Sequence, residues 1–143
     1  MGLLSAEDLM NEKIFPITKD IERAKDLLYY AEDRISLVKA RYKEDKWYKV
    51  VEEAYESIKE SLTAIMYSEG YKTLSHVKLL EYFNDNHKIL SESEKRLVDV
   101  LRKMRNGIVY YGEKITKDFL DNNYLEILNL MDKLIKFAKQ KVK

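Results

Sequence analysis

The stretch Arg105-Asn106-Gly107-Ile108-Val109-Tyr110-Tyr111-Gly112 concentrates the polar chemistry of this chain. One guanidinium, one carboxamide and two phenols fall within two helical turns, ahead of a glycine able to stop a helix. A guanidinium is always charged and grips phosphate through two parallel hydrogen bonds. A phenol can donate a hydrogen bond or stack on a nucleobase. The expected chemistry is recognition of a phosphate and a base by Arg105, Asn106, Tyr110 and Tyr111, with Arg102 and Lys103 supplying further charge. From Lys95 to Lys117 seven basic residues stand against two acidic ones, a net +5 in a chain of net +1. A local basic surface of this kind suits nucleic-acid contacts. The plainer alternative is a solvated charged face.

Other chemistries find little support. The chain has no cysteine, so no disulfide framework, zinc knuckle or thiol nucleophile exists. Its two histidines, His76 and His87, fit no common metal spacing. No metal and no cofactor are expected. His76, directly after Ser75, reads as part of a helix start, and His87 as an exposed loop residue. Glu52, Glu53, Glu56 and Glu60 lie close together, but a di-iron carboxylate site needs Glu-x-x-His pairs that the chain lacks. A solvated acidic face is expected there. Phosphate-binding loops, dinucleotide fingerprints and nucleophile elbows are missing from the sequence.

The elements that must position these residues are helices. At 143 residues a single domain is expected. Hydrophobic residues make up 45% and charged residues 36%, which fits neither a disordered nor a membrane protein. No apolar run approaches the ~20 residues of a membrane span, so no membrane partner is expected. Met1-Gly2-Leu3-Leu4 lacks the basic and apolar regions of a secretory signal, which predicts a cytoplasmic location. Four glycines and one proline predict long helices with short turns.

Residues 1–18 read as an N-terminal arm or short helix ending near Pro16, and residues 19–143 as the helical domain. Ile21, Ala24, Leu28, Ala31, Ile35, Val38 and Tyr42 recur in steps of three and four, one face of a helix. A second helix spans about Trp47 to Ser68, stopped by Gly70, and a short third runs from Ser75 to about Tyr82. Ser91 and Glu94 form a capping box that opens a fourth. A fifth carries Leu120, Tyr124, Ile127, Met131, Leu134 and Ala138. Most of the eleven tyrosines fall on apolar stripes, as Tyr42, Tyr55 and Tyr124 do, and are expected to pack in the core, with Trp47 as an anchor. Tyr29-Tyr30 is expected to place one ring at the surface. The fold class is therefore all-α, an antiparallel up-and-down bundle of about five helices.

On the fourth helix Leu97, Leu101, Met104, Ile108 and Tyr111 form the core stripe. Val98 and Val109 widen the apolar arc to nearly half the circumference. That width predicts burial on a second side, against another subunit or inside the bundle. At ~100° per residue, Arg105 and Tyr110 lie about 140° apart. They would meet on one ligand through the reach of arginine, distortion at Gly107, or pairing across a dimer.

An Arg-Asn pair, three more residues and an aromatic at the end of the fourth helix resemble the HEPN domain superfamily. The segment Gly70–Phe83, which turns after a glycine and restarts at Ser75-His76, is similar to the corresponding part of HEPN proteins. Their signature is an arginine, four to six residues and a histidine, often with a polar residue after the arginine. Arg105 and Asn106 match its first half, and Tyr110 stands where the histidine would be. The pattern looks like a tyrosine-bearing subgroup of archaeal HEPN-like proteins. The resemblance implies a helical bundle that dimerises with its motif helices facing each other. Many members are metal-independent ribonucleases acting as toxins, and others accompany a minimal nucleotidyltransferase. The tyrosine nucleotidylated in that toxin group would fall on Gly112, so the modification does not carry over.

Cleavage of RNA needs a base for the 2′-hydroxyl and an acid for the leaving group. Histidine titrates near ~6.5 and tyrosine near ~10, so about 0.1% of an ordinary phenol is ionised at pH 7. The sequence therefore favours a dimeric HEPN-like protein that binds RNA or nucleotide between subunits, in a toxin–antitoxin or nucleotidyltransferase-partner system. It leaves open an active ribonuclease using Arg105 and Tyr110, and a non-catalytic assembly module.

Overall fold

The computed structural model describes residues 13–143. Five helices carry the described residues: α1 (Ile21–Lys43), α2 (Trp47–Ser68), α3 (His76–Asn86), α4 (Glu92–Tyr111) and α5 (Lys117–Lys141). Two short strands, β1 (Ile14–Pro16) and β2 (Tyr71–Thr73), complete it. The all-α bundle read from the sequence is the observed architecture, with this small ribbon added.

The ends of the helices follow their sequence signals. The Asp20 side chain accepts the Arg23 N–H at 3.0 Å. Ser75 and Thr116 cap α3 and α5 in the same way. Ser91 and Glu94 make both hydrogen bonds of the capping box, at 2.9 and 3.1 Å. Gly112 ends α4 at φ 62°, a left-handed conformation that glycine adopts without a Cβ penalty.

The N-terminal segment departs from its reading. Ile14–Pro16 forms a strand rather than the end of a short helix, and residues 1–12 lie outside the described residues. It pairs antiparallel with β2, Phe15 opposite Lys72. The ribbon closes because Gly70 turns at φ +88°, where a Cβ would come within 3.2 Å of the Ile17 carbonyl. The Ile17 N–H in turn donates to the Gly70 carbonyl at 2.9 Å. Three-residue strands are too short for a period-two pattern to show in the sequence. The ribbon fixes where α3 begins, and so where His76 sits.

The helix α2 is the hub. It packs most extensively on α1 and also meets α5, α4 and α3. In its second half Ile58, Leu62, Ile65 and Met66 are buried, and so are Ser57, Glu60, Ser61 and Ser68 on its other flanks. By contrast α1 buries only the narrow stripe Ala24, Leu28, Ala31 and Val38.

Polar groups on so buried a helix need partners. Ser57 Oγ donates to the Ala31 carbonyl at 2.8 Å. Arg34 of α1 donates Nε to Glu60 at 2.6 Å and Nη1 to Glu53 at 2.7 Å. The acidic cluster is thus not a solvated face, because Glu60 lies under α1. Burial opposes the charge on Arg34, and its hydrogen bonds to Glu60 and Glu53 outweigh that effect and raise its pKa. Burial also pushes Glu60 upward against the pull of Arg34, so its ionised form depends on that arginine.

Replacing Arg34 by alanine leaves Glu60 buried without its cation. Breaking a fully buried pair costs ~3–5 kcal/mol. Because 27% of the Arg34 side chain stays exposed, a loss of about 2 kcal/mol is expected in urea unfolding. Adding Glu60→Gln should recover much of it. A loss below about 0.5 kcal/mol, typical of surface pairs, would contradict the assignment.

Candidate functional site

The helix α4 runs antiparallel to α2. Leu101 is buried against it, and Met104 and Ile108 are half-buried. One position beyond Met104, Arg105 reaches across the seam. Its Nη2 lies 3.9 Å from Glu56 Oε1, and its Nη1 donates to Asn106 Oδ1 at 3.4 Å. Glu56 is already held by Lys59 Nζ at 3.0 Å. A guanidinium carries five N–H donors, and these two contacts are long. With 21% of its side chain exposed, Arg105 is a cation at the surface of the seam with most of its hydrogen-bonding capacity unused.

The other predicted residues differ among themselves. Arg102 Nη2 and Lys103 Nζ both hold Asp99, at 2.9 and 3.0 Å. Those bonds, with Arg102 the larger influence, lower the pKa of Asp99. Lys95 pairs with Glu92, and Lys117 with Asp121. Much of the basic window is thus answered locally. Asn106 is half-buried beside Arg105. Tyr110 and Tyr111 are 69% and 80% exposed. No hydrogen bond joins Arg105 to Tyr110 within the chain, as their angular separation on the helix predicts.

Tyr111 was expected in the core stripe and stands outside it. The chain turns at Gly112, and Ile115 rather than Tyr111 packs against the core. Ile108 and Gly112 still line a groove of about 440 Å³ with Trp47 and Tyr48. Glu113, Lys114 and Ile115 also line that groove, and Tyr111 does not. The wide apolar arc is also divided. Val98 is buried, while Val100 and Val109 are 38% and 51% exposed. A larger groove of about 540 Å³, lined by Arg96, Leu97, Val100 and Phe119, separates α4 from α5 and does not include Arg105.

Both histidines depart from their sequence readings. His87 is buried, not an exposed loop residue. Its Nε2 lies 2.9 Å from Glu69 Oε1, and its ring sits against Phe83 and Phe137. His76 does open α3, but it also meets Tyr55 of α2, with Nδ1 3.2 Å from Tyr55 Oη. Tyr55 is 1% exposed. Burial raises its pKa to about 12, over the lowering effect of Arg102 and Arg105. The sequence did carry one signal for this contact, since a buried tyrosine needs a partner for its hydroxyl. Tyr42 and Tyr124 stack at 3.8 Å, as their stripes imply. Tyr29 and Tyr30 are both exposed, where one was expected.

The surroundings of His76 are cationic. Burial lowers its pKa most, followed by Lys59 and Arg105; Glu56 opposes them and Arg102 adds to the lowering. Arg105 and His76 thus share one neighbourhood although 29 positions separate them in sequence. No group of three or more His, Asp or Glu placed to hold a metal occurs among the described residues. No helix among them is long and apolar enough to cross a membrane.

A histidine that resists protonation when folded makes stability depend on pH. The unfolded chain takes up the proton first, so stability is full above the ordinary histidine range and falls as pH drops through it. The wild type should therefore lose more stability than His76→Gln between neutral and mildly acidic pH in parallel urea titrations. Parallel curves for the two proteins would contradict the burial of His76 in a cationic setting.

No curated protein matches the chain. A family model described as the HEPN domain matches residues 24–141, from the first turn of α1 to the end of α5. That match takes in the Arg105–Gly112 stretch and the His76 neighbourhood, and it covers most of the 143 residues. The chain belongs to the HEPN domain family.

Proposed function

We propose that this HEPN protein forms a homodimer and binds RNA or a nucleotide in a cleft between its subunits. Arg105, Asn106, Tyr110 and Tyr111 line the cleft, and Arg102 and Lys103 stand at its rim. The biological setting is a toxin–antitoxin pair or a partnership with a minimal nucleotidyltransferase. The observation that carries this reading is the unspent guanidinium of Arg105, held by one contact of 3.9 Å and one of 3.4 Å at an open seam. A phosphate offers it two short, charge-assisted bonds in place of two long ones.

The case for a dimer lies on the same helix. HEPN domains commonly dimerise. Val109, Tyr110 and Tyr111 leave the last turn of α4 apolar and uncovered within the chain, and Val100 is exposed on the side facing the groove to α5. Tyr110 points away from the seam that Arg105 occupies. Two chains meeting along α4 would set the aromatic of one beside the arginine of the other. Tyr110 has no hydrogen-bond partner among the described residues to take its proton, which favours binding over cleavage for this residue.

Arg105→Ala should weaken binding of a short RNA about tenfold, the loss of one charge-assisted contact pair. Lys136→Ala, which removes an exposed lysine paired with Asp132 on α5, should change it little. Equal losses would defeat the site assignment. In sedimentation, Val109→Glu should shift the protein from dimer to monomer, and an unchanged dimer would place the interface elsewhere.

A further inference from the structure

Arg105 and His76 hold successive residues of α2. Arg105 lies against Glu56 at 3.9 Å, and His76 against Tyr55 at 3.2 Å. Lys59 follows one turn later and pairs with Glu56. Adjacent residues of a helix are ~1.5 Å apart in rise and ~100° apart in direction, so α3 and α4 reach the same turn of α2 from two sides, close enough for Arg105 and Glu56 both to act on the His76 ring.

We propose that Arg105 and His76 of the same chain bind one phosphate group, that of a nucleotide or an RNA backbone, with the guanidinium and His76 Nε2 as its two donors. The proposal rests on the reading of Arg105 as a phosphate ligand and adds the second ligand and its protonation. Tyr55 positions the ring. Its hydroxyl can donate to Nδ1 of the neutral imidazole, or accept from Nδ1–H once the ring is charged. The bond therefore persists in both states, and Nε2 is the nitrogen with no hydrogen bond among the described residues.

The entry of an anion leaves no carboxylate stranded. When Arg105 turns to phosphate it gives up a long contact, and Glu56 keeps Lys59. The groups facing His76 are Tyr55, Glu56 and Lys59 from α2, and Arg102 and Arg105 from α4. Arg102 is itself held by Asp99. Burial first, and then Lys59, Arg105 and Arg102 against Glu56, oppose protonation of His76. A bound phosphate reverses that balance, so binding takes up a proton at Nε2 or Nδ1 and strengthens as pH falls.

The test is an NMR pH titration of the His76 imidazole with and without adenosine 5′-monophosphate, repeated with inorganic phosphate and with adenosine. The midpoint should rise by about one unit with the nucleotide. It should rise with inorganic phosphate as well and stay unmoved by adenosine. His87, buried against Glu69, is the internal control. Arg105→Gln should abolish the response while amide spectra show an intact fold, and Lys136→Ala, outside the site, should retain it. An unmoved midpoint with nucleotide overturns the proposal, and so does a full response in Arg105→Gln. If RNA binding still requires Arg105 while His76 stays silent, the cleft reading stands and the His76 site falls. If His76 responds but RNA binding ignores Tyr110 and dimerisation, the site within one chain stands and the cleft falls.

Discussion

A helix buried around much of its circumference needs partners for most of its polar groups, and α2 is such a helix, with the Ser61 hydroxyl a buried exception that has no partner among the described residues. Burying an unpaired polar group costs roughly 1–3 kcal/mol, and an unpaired charge costs more. Three of the helices packed on α2 therefore bring both apolar surface and a specific partner. From α1 come Arg34 and the Ala31 carbonyl, for Glu53, Glu60 and Ser57. From α3 comes His76, for Tyr55. From α4 comes Arg105, which stops short of Glu56. The first pairings are close and serve the fold. The last is loose, and that looseness separates a structural contact from a candidate site.

The fold was largely legible because helical periodicity and caps are local signals. The capping box at Ser91, the stop at Gly112 and the stripe from Ile21 to Tyr42 all reappear in the structure. What the sequence concealed depends on distant neighbours. Glu60 belongs to an acidic run that looks solvated until α1 lies over it. His87 looks like a loop residue until Phe83 and Phe137 close around it. Tyr111 continues a core stripe, but the chain turns at Gly112 and Ile115 packs against the core in its place. The β1–β2 ribbon rests on three-residue strands and one left-handed glycine, and no periodicity marks it.

The candidate site was half legible. Arg105 and Asn106 stand out by type and position, and the family match takes them in. The local motif directed attention forward along α4 to Tyr110, where HEPN proteins usually place a histidine. The structure directs it sideways, across α2, to a histidine 29 positions earlier in the chain. Helix spacing alone could not reveal that neighbourhood, since it depends on where the ribbon starts α3 and how α4 lies on α2. The burial of Tyr55 was the sole sequence clue. A guanidinium with spare donors in the neighbourhood of a histidine whose protonation is opposed by burial and nearby cations is the arrangement on which the proposed phosphate site rests.

The most direct measurement is an arginine side-chain NMR spectrum recorded while nucleotide is added. If Arg105 is the unspent phosphate ligand, its Nε–H signal shifts and sharpens with nucleotide, while that of Arg34, locked between Glu53 and Glu60, does not move. An Arg105 signal that stays still while the lysine-rich end of α5 responds would contradict the assignment of the site to the α2–α4 seam.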